Sequence, residues 1–245
     1  MMGVWRVVHR PETQRFCDNR ETLSSMHRRL FPVLAGLSLC FFVVAPIVIV
    51  RAPYESTMGL VQKIFYFHFP AWMAMFLAIF ILGISSGIYL FRRKPAADRL
   101  AVASAELAVV FGLMGLITGP LWGIKAWGVW WQWDARLTMA VILELILVAY
   151  LLLRQYGGAG SDRLAAGLGL FAMANVPFLY ISTEIWRTVH PRTSVVPTLP
   201  VDFGIPLWWS LVGFIVLCFA LLSVRSRLEE QRSALDQLYL AVEED

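Results

Sequence analysis

The chain has 245 residues, of which 58% are hydrophobic and 16% are charged. Since a soluble domain of this size carries roughly a quarter charged residues, the composition excludes an ordinary soluble globular protein. The chain also lacks a glycine-rich phosphate loop of the Gly-x-x-x-x-Gly-Lys type, so we expect no nucleotide-driven motor and no enzyme active site of that class.

Six apolar runs follow a polar, basic segment at residues 1–30. Each run is close to the ~20 residues that a helix needs to cross a bilayer. The runs are 31–50, 69–91, 100–121, 137–153, 164–182 and 205–224. The first run has full length and no small-residue cleavage site after it, so we expect a retained helix and not a cleaved signal. The sequence predicts an all-α integral membrane protein, with one bundle of six transmembrane helices over 31–224 and tails at 1–30 and 225–245.

Lysine and arginine predict the orientation of this bundle. The two tails and the second and fourth connections carry fifteen of the 21 basic residues, and the other three connections carry six. Positive residues concentrate on the cytoplasmic side, so we expect both termini in the cytoplasm. The outer connections are then 51–68, 122–136 and 183–204, and a basic net charge of +4 reflects topology and not nucleic-acid binding.

Tryptophan separates sharply between the two predicted faces. Nine of the ten tryptophans fall on the outer side and only Trp5 on the inner side. An aromatic belt decorates both interfaces, so it does not explain this asymmetry. Five of the nine lie in the Trp-rich segment, residues 122–138, which we predict to be a short amphipathic helix or turn broken by Gly123 and Gly128. They are Trp122, Trp127, Trp130, Trp131 and Trp133.

The Trp-rich segment also carries charges of both signs, at Lys125, Asp134 and Arg136. Flat apolar rings with cations beside them suit a planar ligand that has carboxylate arms, and heme is such a ligand. Arg136, Lys125, Arg187 and Arg192 are candidate contacts for heme propionates or a partner, since arginine pairs well with carboxylates. For Asp134 two interpretations stay open: a helix N-cap, or a contact with ligand or partner.

Two of the four histidines lie on the tryptophan side. His68 stands at the outer start of the second helix and His190 in the third outer connection, whereas His9 and His27 belong to the N-terminal tail. Hexacoordinate heme iron needs two opposed neutral imidazoles, which makes His68 and His190 candidate axial ligands. Glu106 and Glu144 lie inside predicted helices, where acids are costly, and pairing within the bundle is the plainer interpretation. The three cysteines have no metal or covalent-heme spacing.

The sequence Trp127-Gly-Val-Trp-Trp-Gln-Trp-Asp-Ala-Arg-Leu-Thr138 resembles the WWD signature of the heme-handling superfamily. Together with the segments 66–70 and 184–190, it is similar to the heme exporter protein C family of the cytochrome c maturation system, over roughly residues 30–225. Val129 stands where that family often has threonine, and Ile185 where it often has a second tryptophan. Larger superfamily members carry more helices than this chain supplies.

The resemblance implies heme b carried as cargo at the periplasmic face of the bacterial inner membrane. It further implies His68 and His190 as axial ligands and the Trp-rich segment with Asp134 as the platform. The implied partners are a membrane-anchored periplasmic heme chaperone, ABC transporter subunits that supply the ATPase, and a small single-helix membrane protein. Two alternatives stay open: a b-type membrane cytochrome in electron transfer, and a heme-independent transporter with an aromatic vestibule.

Overall fold

The computed structural model describes the backbone of residues 12–243 and the side chains of residues 30–192, 195–239 and 242. Residues 12–243 form six α-helices and two short 3-10 helices, and the single β feature among them is an isolated bridge between Glu55 and Gly59. The helices are α1 Glu12–Arg51, α2 Phe65–Arg92, α3 Pro95–Trp127, α4 Ala135–Tyr156, α5 Ser161–Ile185 and α6 Val201–Glu243. In this described part all six are long and apolar enough to cross a membrane, which confirms the predicted fold class.

The helices extend beyond the apolar runs from which they were predicted. α1 already begins at Glu12 and α6 continues to Glu243, so both predicted tails are largely continuations of helices. Hydropathy marks only the apolar portion of a helix. The polar stretch after residue 225 is rich in Arg, Leu, Glu, Gln and Ala, which are strong helix formers and prolong α6.

α2 is the central helix of the bundle and packs against α3, α5 and α6. Small side chains line these interfaces; Ala74 and Ala78 of α2 and Ala103 and Ala105 of α3 are all fully or almost fully buried. Small residues let helix backbones approach closely where the surrounding lipid provides no hydrophobic driving force. The core of the bundle therefore includes the interface where α2 and α3 run side by side.

Charged pairs close the end of the bundle where α2 ends and α3 begins. Arg225 of α6 donates to Glu106 of α3, with Nη2 2.5 Å from Oε1, and to Glu229 at 2.7 Å. Arg154 Nη2 of α4 lies 2.6 Å from Asp98 Oδ2 of α3. The expected pairing of Glu106 within the bundle is confirmed. Glu144 differs, because neither of its buried carboxylate oxygens has a hydrogen-bond partner among the described residues.

The three connections predicted to lie outside gather at the opposite end. There α1, α3 and α5 end while α2, α4 and α6 begin. A 3-10 helix, Leu60–Ile64, precedes α2, and a second, Thr193–Thr198, lies between α5 and α6. Both candidate histidines and the Trp-rich segment belong to this end.

Candidate functional site

A cavity of about 630 Å³ opens at the end of the bundle where the three outer connections meet. This volume falls within the range of about 300–1,000 Å³ that is typical of small-molecule and cofactor sites. Its lining is mostly apolar, with a few polar groups converging on it. The residues that matter here are His68, Trp72, Trp122, Trp127, Arg136 and His190.

His68 lies in the first turn of α2 and is held against α3. Its Nδ1 is 3.0 Å from Thr118 Oγ1. The Trp72 ring, one helical turn further along, stands almost perpendicular to the imidazole with centroids 6.3 Å apart. Thr118 was not among the residues predicted from sequence, because a threonine inside an apolar helix carries no distinguishing signal.

Two glycines of α3 leave space for the rings of His68 and Trp72. A Cβ atom on Gly115 would lie 2.6 Å from Trp72 Cε2, and one on Gly119 would lie 3.3 Å from His68 Cε1. With Thr118, these residues form one face of α3, which we call the α3 seat (Gly115, Thr118 and Gly119). Side chains three and four apart share a helix face, so the seat is a continuous surface for His68 and Trp72.

His190 comes from the connection between α5 and α6. Its Nδ1 lies 2.9 Å from the carbonyl oxygen of Pro191, and its ring centroid is 6.3 Å from that of Trp127. Burial, together with the positive charge of Arg136, lowers the pKa of His190 to about 4. The imidazole is therefore neutral near pH 7, which is the form that binds a metal ion.

Asp134 connects the Trp-rich segment to the loop that carries His190. Its Oδ1 accepts a hydrogen bond from Leu137 N at 2.9 Å, which confirms the N-cap of α4. Its Oδ2 accepts from Val189 N at 2.9 Å and from the Thr188 hydroxyl, and Thr188 Oγ1 in turn accepts from His190 N at 3.0 Å. Asp134 thus holds a helix start and the His190 loop at once.

The Trp-rich segment is divided between helix and loop. α3 runs unbroken through Gly123 to Trp127, and Gly128, with φ of 76°, ends it in the left-handed region. The expectation that Gly123 interrupts the helix was wrong, because the missing Cβ there accommodates the ring of Trp127, 2.7 Å from the Cβ position. Residues 128–134 form the irregular connection to α4.

The five tryptophans of this segment have unequal positions. Trp122, Trp127, Trp130 and Trp131 line the cavity, whereas Trp133 is 73% exposed and lies outside the lining. Trp122 is buried, and its Nε1 donates to Gln62 Oε1 at 3.1 Å. Its ring meets that of Trp127 edge-on, with centroids 5.5 Å apart. These rings form an aromatic wall and not a flat surface in solvent.

The four candidate cations differ in whether they line the cavity. Arg136 lines the cavity, and its Nη1 donates to the carbonyls of Leu179 and Tyr180 at 2.6 and 3.1 Å, which fastens the start of α4 to the end of α5. Arg192 lines the cavity and is exposed. Lys125 and Arg187 are exposed and lie outside the lining.

An acidic residue that the sequence analysis did not select, Glu55, also lines the cavity. Its carboxylate accepts hydrogen bonds from the backbone N–H groups of Met58 and Thr57, at 2.6 and 2.8 Å. These bonds, the one from Met58 above all, lower the pKa of Glu55. The ionised carboxylate of Glu55 therefore stabilises the turn that precedes α2.

Comparison with known proteins identifies the family of this chain. The family described as "Heme exporter protein C" matches residues 13–239. The chain belongs to the heme exporter protein C family. It is 33% identical over 196 residues to the heme exporter protein C of Bradyrhizobium diazoefficiens, covering 77% of this chain and 74% of the relative.

Two further relatives carry the same description. The Escherichia coli K12 protein is 31% identical over 200 residues, which cover 77% of this chain and 80% of the relative. The Haemophilus influenzae protein is 30% identical over 239 residues, or 92% of each chain. As a member of this family, the protein is a multi-pass membrane component of heme handling for cytochrome c maturation. Val129 and Ile185, where the resemblance predicts threonine and tryptophan, are 43% and 57% exposed and lie outside the cavity lining.

Proposed function

We propose that this protein binds heme b as cargo, with His68 and His190 as axial ligands, and presents it to a membrane-anchored heme chaperone for c-type cytochrome biogenesis. One observation carries the proposal. Two imidazoles from elements about 120 residues apart in the chain line a single apolar cavity with an aromatic wall. Heme iron takes axial histidine ligands, and a porphyrin needs apolar surroundings of this kind.

The hydrogen bond of the His190 ring supports the same assignment. Pro191 offers His190 a carbonyl, which only accepts, so the proton of the neutral ring sits on Nδ1 and Nε2 keeps its lone pair. Ligand histidines in metalloproteins typically donate their other N–H to a carbonyl, carboxylate or similar acceptor in this way. His190 is thus prepared to bind iron through Nε2.

We assign the cavity to the periplasmic face of the bacterial inner membrane. The assignment rests on the distribution of lysine and arginine, which favours cytoplasmic termini, and on the position of the cavity at the other end of the bundle. The Trp-rich wall and Asp134 would hold the porphyrin side, and Arg136 and Arg192 would meet its propionates. Lys125 and Arg187, exposed beside the cavity, would meet the chaperone or other partners, which include ABC transporter subunits and a small single-helix protein.

The absorbance spectrum of the purified protein tests the heme assignment. His68→Ala and His190→Ala should each shift or abolish the Soret band while the helical circular dichroism is retained, because neither change empties the bundle core. His27→Ala, in the predicted cytoplasmic segment, is the matched control and should leave the spectrum unchanged. Unchanged spectra in both cavity variants would reject the axial assignment.

The presentation step is tested by comparing Trp130→Ala with Trp133→Ala. Both side chains are more than half exposed, at 57% and 73%, but only Trp130 lines the cavity. Trp130→Ala should lower chaperone-bound heme per molecule of this protein, while Trp133→Ala should not. If the tryptophans only anchored the protein in lipid, protein and heme levels would fall together and transfer per molecule would stay constant. A b-type cytochrome, by contrast, would transfer no heme to the chaperone.

A further inference from the structure

We propose that Thr118 is a positioning residue that fixes the tautomer and the orientation of His68, so that Nε2 is the nitrogen available to iron. The inference rests on the proposed function only in its last step, the binding of iron. Its first step concerns the protein without heme, and the two can be tested separately.

The argument begins with the single proton of the Thr118 hydroxyl. Thr118 Oγ1 lies 2.7 Å from the carbonyl oxygen of Met114, four residues earlier in α3, and 3.3 Å from that of Gly115. Carbonyl oxygens only accept hydrogen bonds, so the hydroxyl proton is directed into the helix backbone. What Thr118 Oγ1 presents to its other neighbour is therefore a lone pair.

That neighbour is His68 Nδ1, at 3.0 Å. Two lone pairs facing each other at this distance would repel, so Nδ1 carries the proton and donates it to Thr118 Oγ1. A neutral imidazole has one N–H, which leaves Nε2 unprotonated. His68 thereby acquires the same tautomer that the Pro191 carbonyl gives His190.

The α3 seat fixes the ring as well as its proton. The Cβ position of Gly119 is 3.3 Å from His68 Cε1, so the imidazole lies directly on the helix backbone there. The Cβ position of Gly115 is 2.6 Å from Trp72, whose ring stands at 71° to the imidazole with centroids 6.3 Å apart. The helix thus offers His68 a closely fitting surface on which Thr118 Oγ1 accepts a hydrogen bond from the ring.

This arrangement has a chemical consequence for the ligand. A histidine whose remote N–H is hydrogen-bonded is a more basic ligand and is held in one orientation, and loss of such an outer partner typically costs 10–100-fold in metal affinity. Thr118→Val keeps the shape of the side chain and removes only the acceptor. We expect this variant to lose about 10–100-fold in heme affinity, with a raised heme reduction potential because a weaker donor stabilises ferric iron less.

The first test uses the heme-free protein in detergent with ¹⁵N-labelled histidine, with the His68 signals identified by their loss in His68→Gln. Nitrogen shifts report which ring nitrogen carries the proton. We expect the Nδ1–H tautomer in the wild type and in Thr118→Ser, and a shift of population toward Nε2–H in Thr118→Val. Thr183→Val is the control, since Thr183 is buried in α5 with no hydrogen-bond partner among the described residues. Thr118→Ala serves in place of Thr118→Val if the latter does not fold.

The proposal would be overturned by an Nε2–H tautomer of His68 in the wild type. It would also be overturned if the tautomer populations of His68 stayed the same when the Thr118 hydroxyl is removed. The second test titrates heme into the same variants and follows the Soret band and the reduction potential. Weaker binding and a raised potential in Thr118→Val, with Thr118→Ser and Thr183→Val close to wild type, support the role in iron binding. If the wild type binds no heme although His68 shows the expected tautomer, the proposed function fails and the assignment of Thr118 stands.

Discussion

His68 and His190 line the same cavity, yet their surroundings differ. His68 belongs to a helix and rests on a second helix, where Thr118 accepts from its ring and Gly119 lets the ring lie against the helix backbone. His190 belongs to an irregular connection and donates to the carbonyl of its own neighbour, Pro191. The comparison shows that His68 is oriented by helix packing, whereas His190 is oriented by the conformation of a loop.

The loop conformation depends on a residue far away in sequence. Asp134 uses one oxygen to cap α4 and the other to hold Thr188 and Val189. A single carboxylate therefore ties the loop that carries His190 to the start of α4. We expect perturbations of Asp134 to affect the His190 side selectively and perturbations of the α3 seat to affect the His68 side, and four variants test this division from the largest effect to the smallest.

Asp134→Ala should have the largest effect. It removes the helix cap and both loop hydrogen bonds, at a cost of about 3 kcal/mol. Hydrogen exchange at Val189 and His190 should accelerate at least tenfold, while exchange around His68 stays unchanged. Asp134→Asn is the matched variant, and it should be intermediate because an amide has one acceptor oxygen where the carboxylate uses two. Equal exchange rates in wild type and Asp134→Ala would contradict the link.

Gly115→Ala should disturb the His68 side instead. Its Cβ would meet the Trp72 ring at 2.6 Å, and overpacking of a closely fitted site costs about 1–3 kcal/mol. We expect a lower midpoint of thermal unfolding in detergent and a displaced His68 NMR signal, with Val189 exchange as in wild type. Gly167→Ala in α5, where nothing lies within 4 Å, is the control and should be neutral or stabilising. A neutral Gly115→Ala would mean that the seat is not tightly packed.

Arg136→Gln should weaken the base of the His190 loop more modestly. Arg136 donates to the carbonyls of Leu179 and Tyr180, in the C-terminal part of α5, so its loss costs about 1.5 kcal/mol and loosens the part of the helix that precedes the loop. The readout is hydrogen exchange over residues 182–190. Arg163→Gln, an exposed arginine at the other end of α5, should change stability by no more than about 0.5 kcal/mol. The idea fails if both variants behave alike.

Glu144→Gln should have the smallest effect. Glu144 is 4% exposed within the bundle, and its oxygens have no partner among the described residues, so an amide of the same size loses no hydrogen bond. An uncharged side chain is also better tolerated in a membrane interior. Thermal stability should be retained or increased, with both histidine environments unchanged. A lost heme spectrum would reveal a role that lies outside the comparison of the two histidines.

Several elements of the site were predictable from sequence for identifiable reasons. His68, His190 and the tryptophans share one predicted face because an even number of spans returns the chain to the same side, and lysine and arginine predict which side that is. The N-cap at Asp134, one of the two interpretations left open, was suggested by its place just before an apolar run. The lengths of α1 and α6 did not follow, since hydropathy does not register their polar, helix-forming extensions.

The sequence by itself determined the class of this protein: its apolar runs predict six membrane helices, its basic residues predict their orientation, and its tryptophans and two histidines mark one end. Only the tertiary structure decided which of those residues meet. It placed Trp130 at the cavity and Trp133 outside, gave Asp134 its second task, and brought Thr118 and two glycines under His68. The physical reason is that composition and periodicity report the average environment of a segment, whereas contacts between residues 50 or more positions apart depend on how whole helices pack.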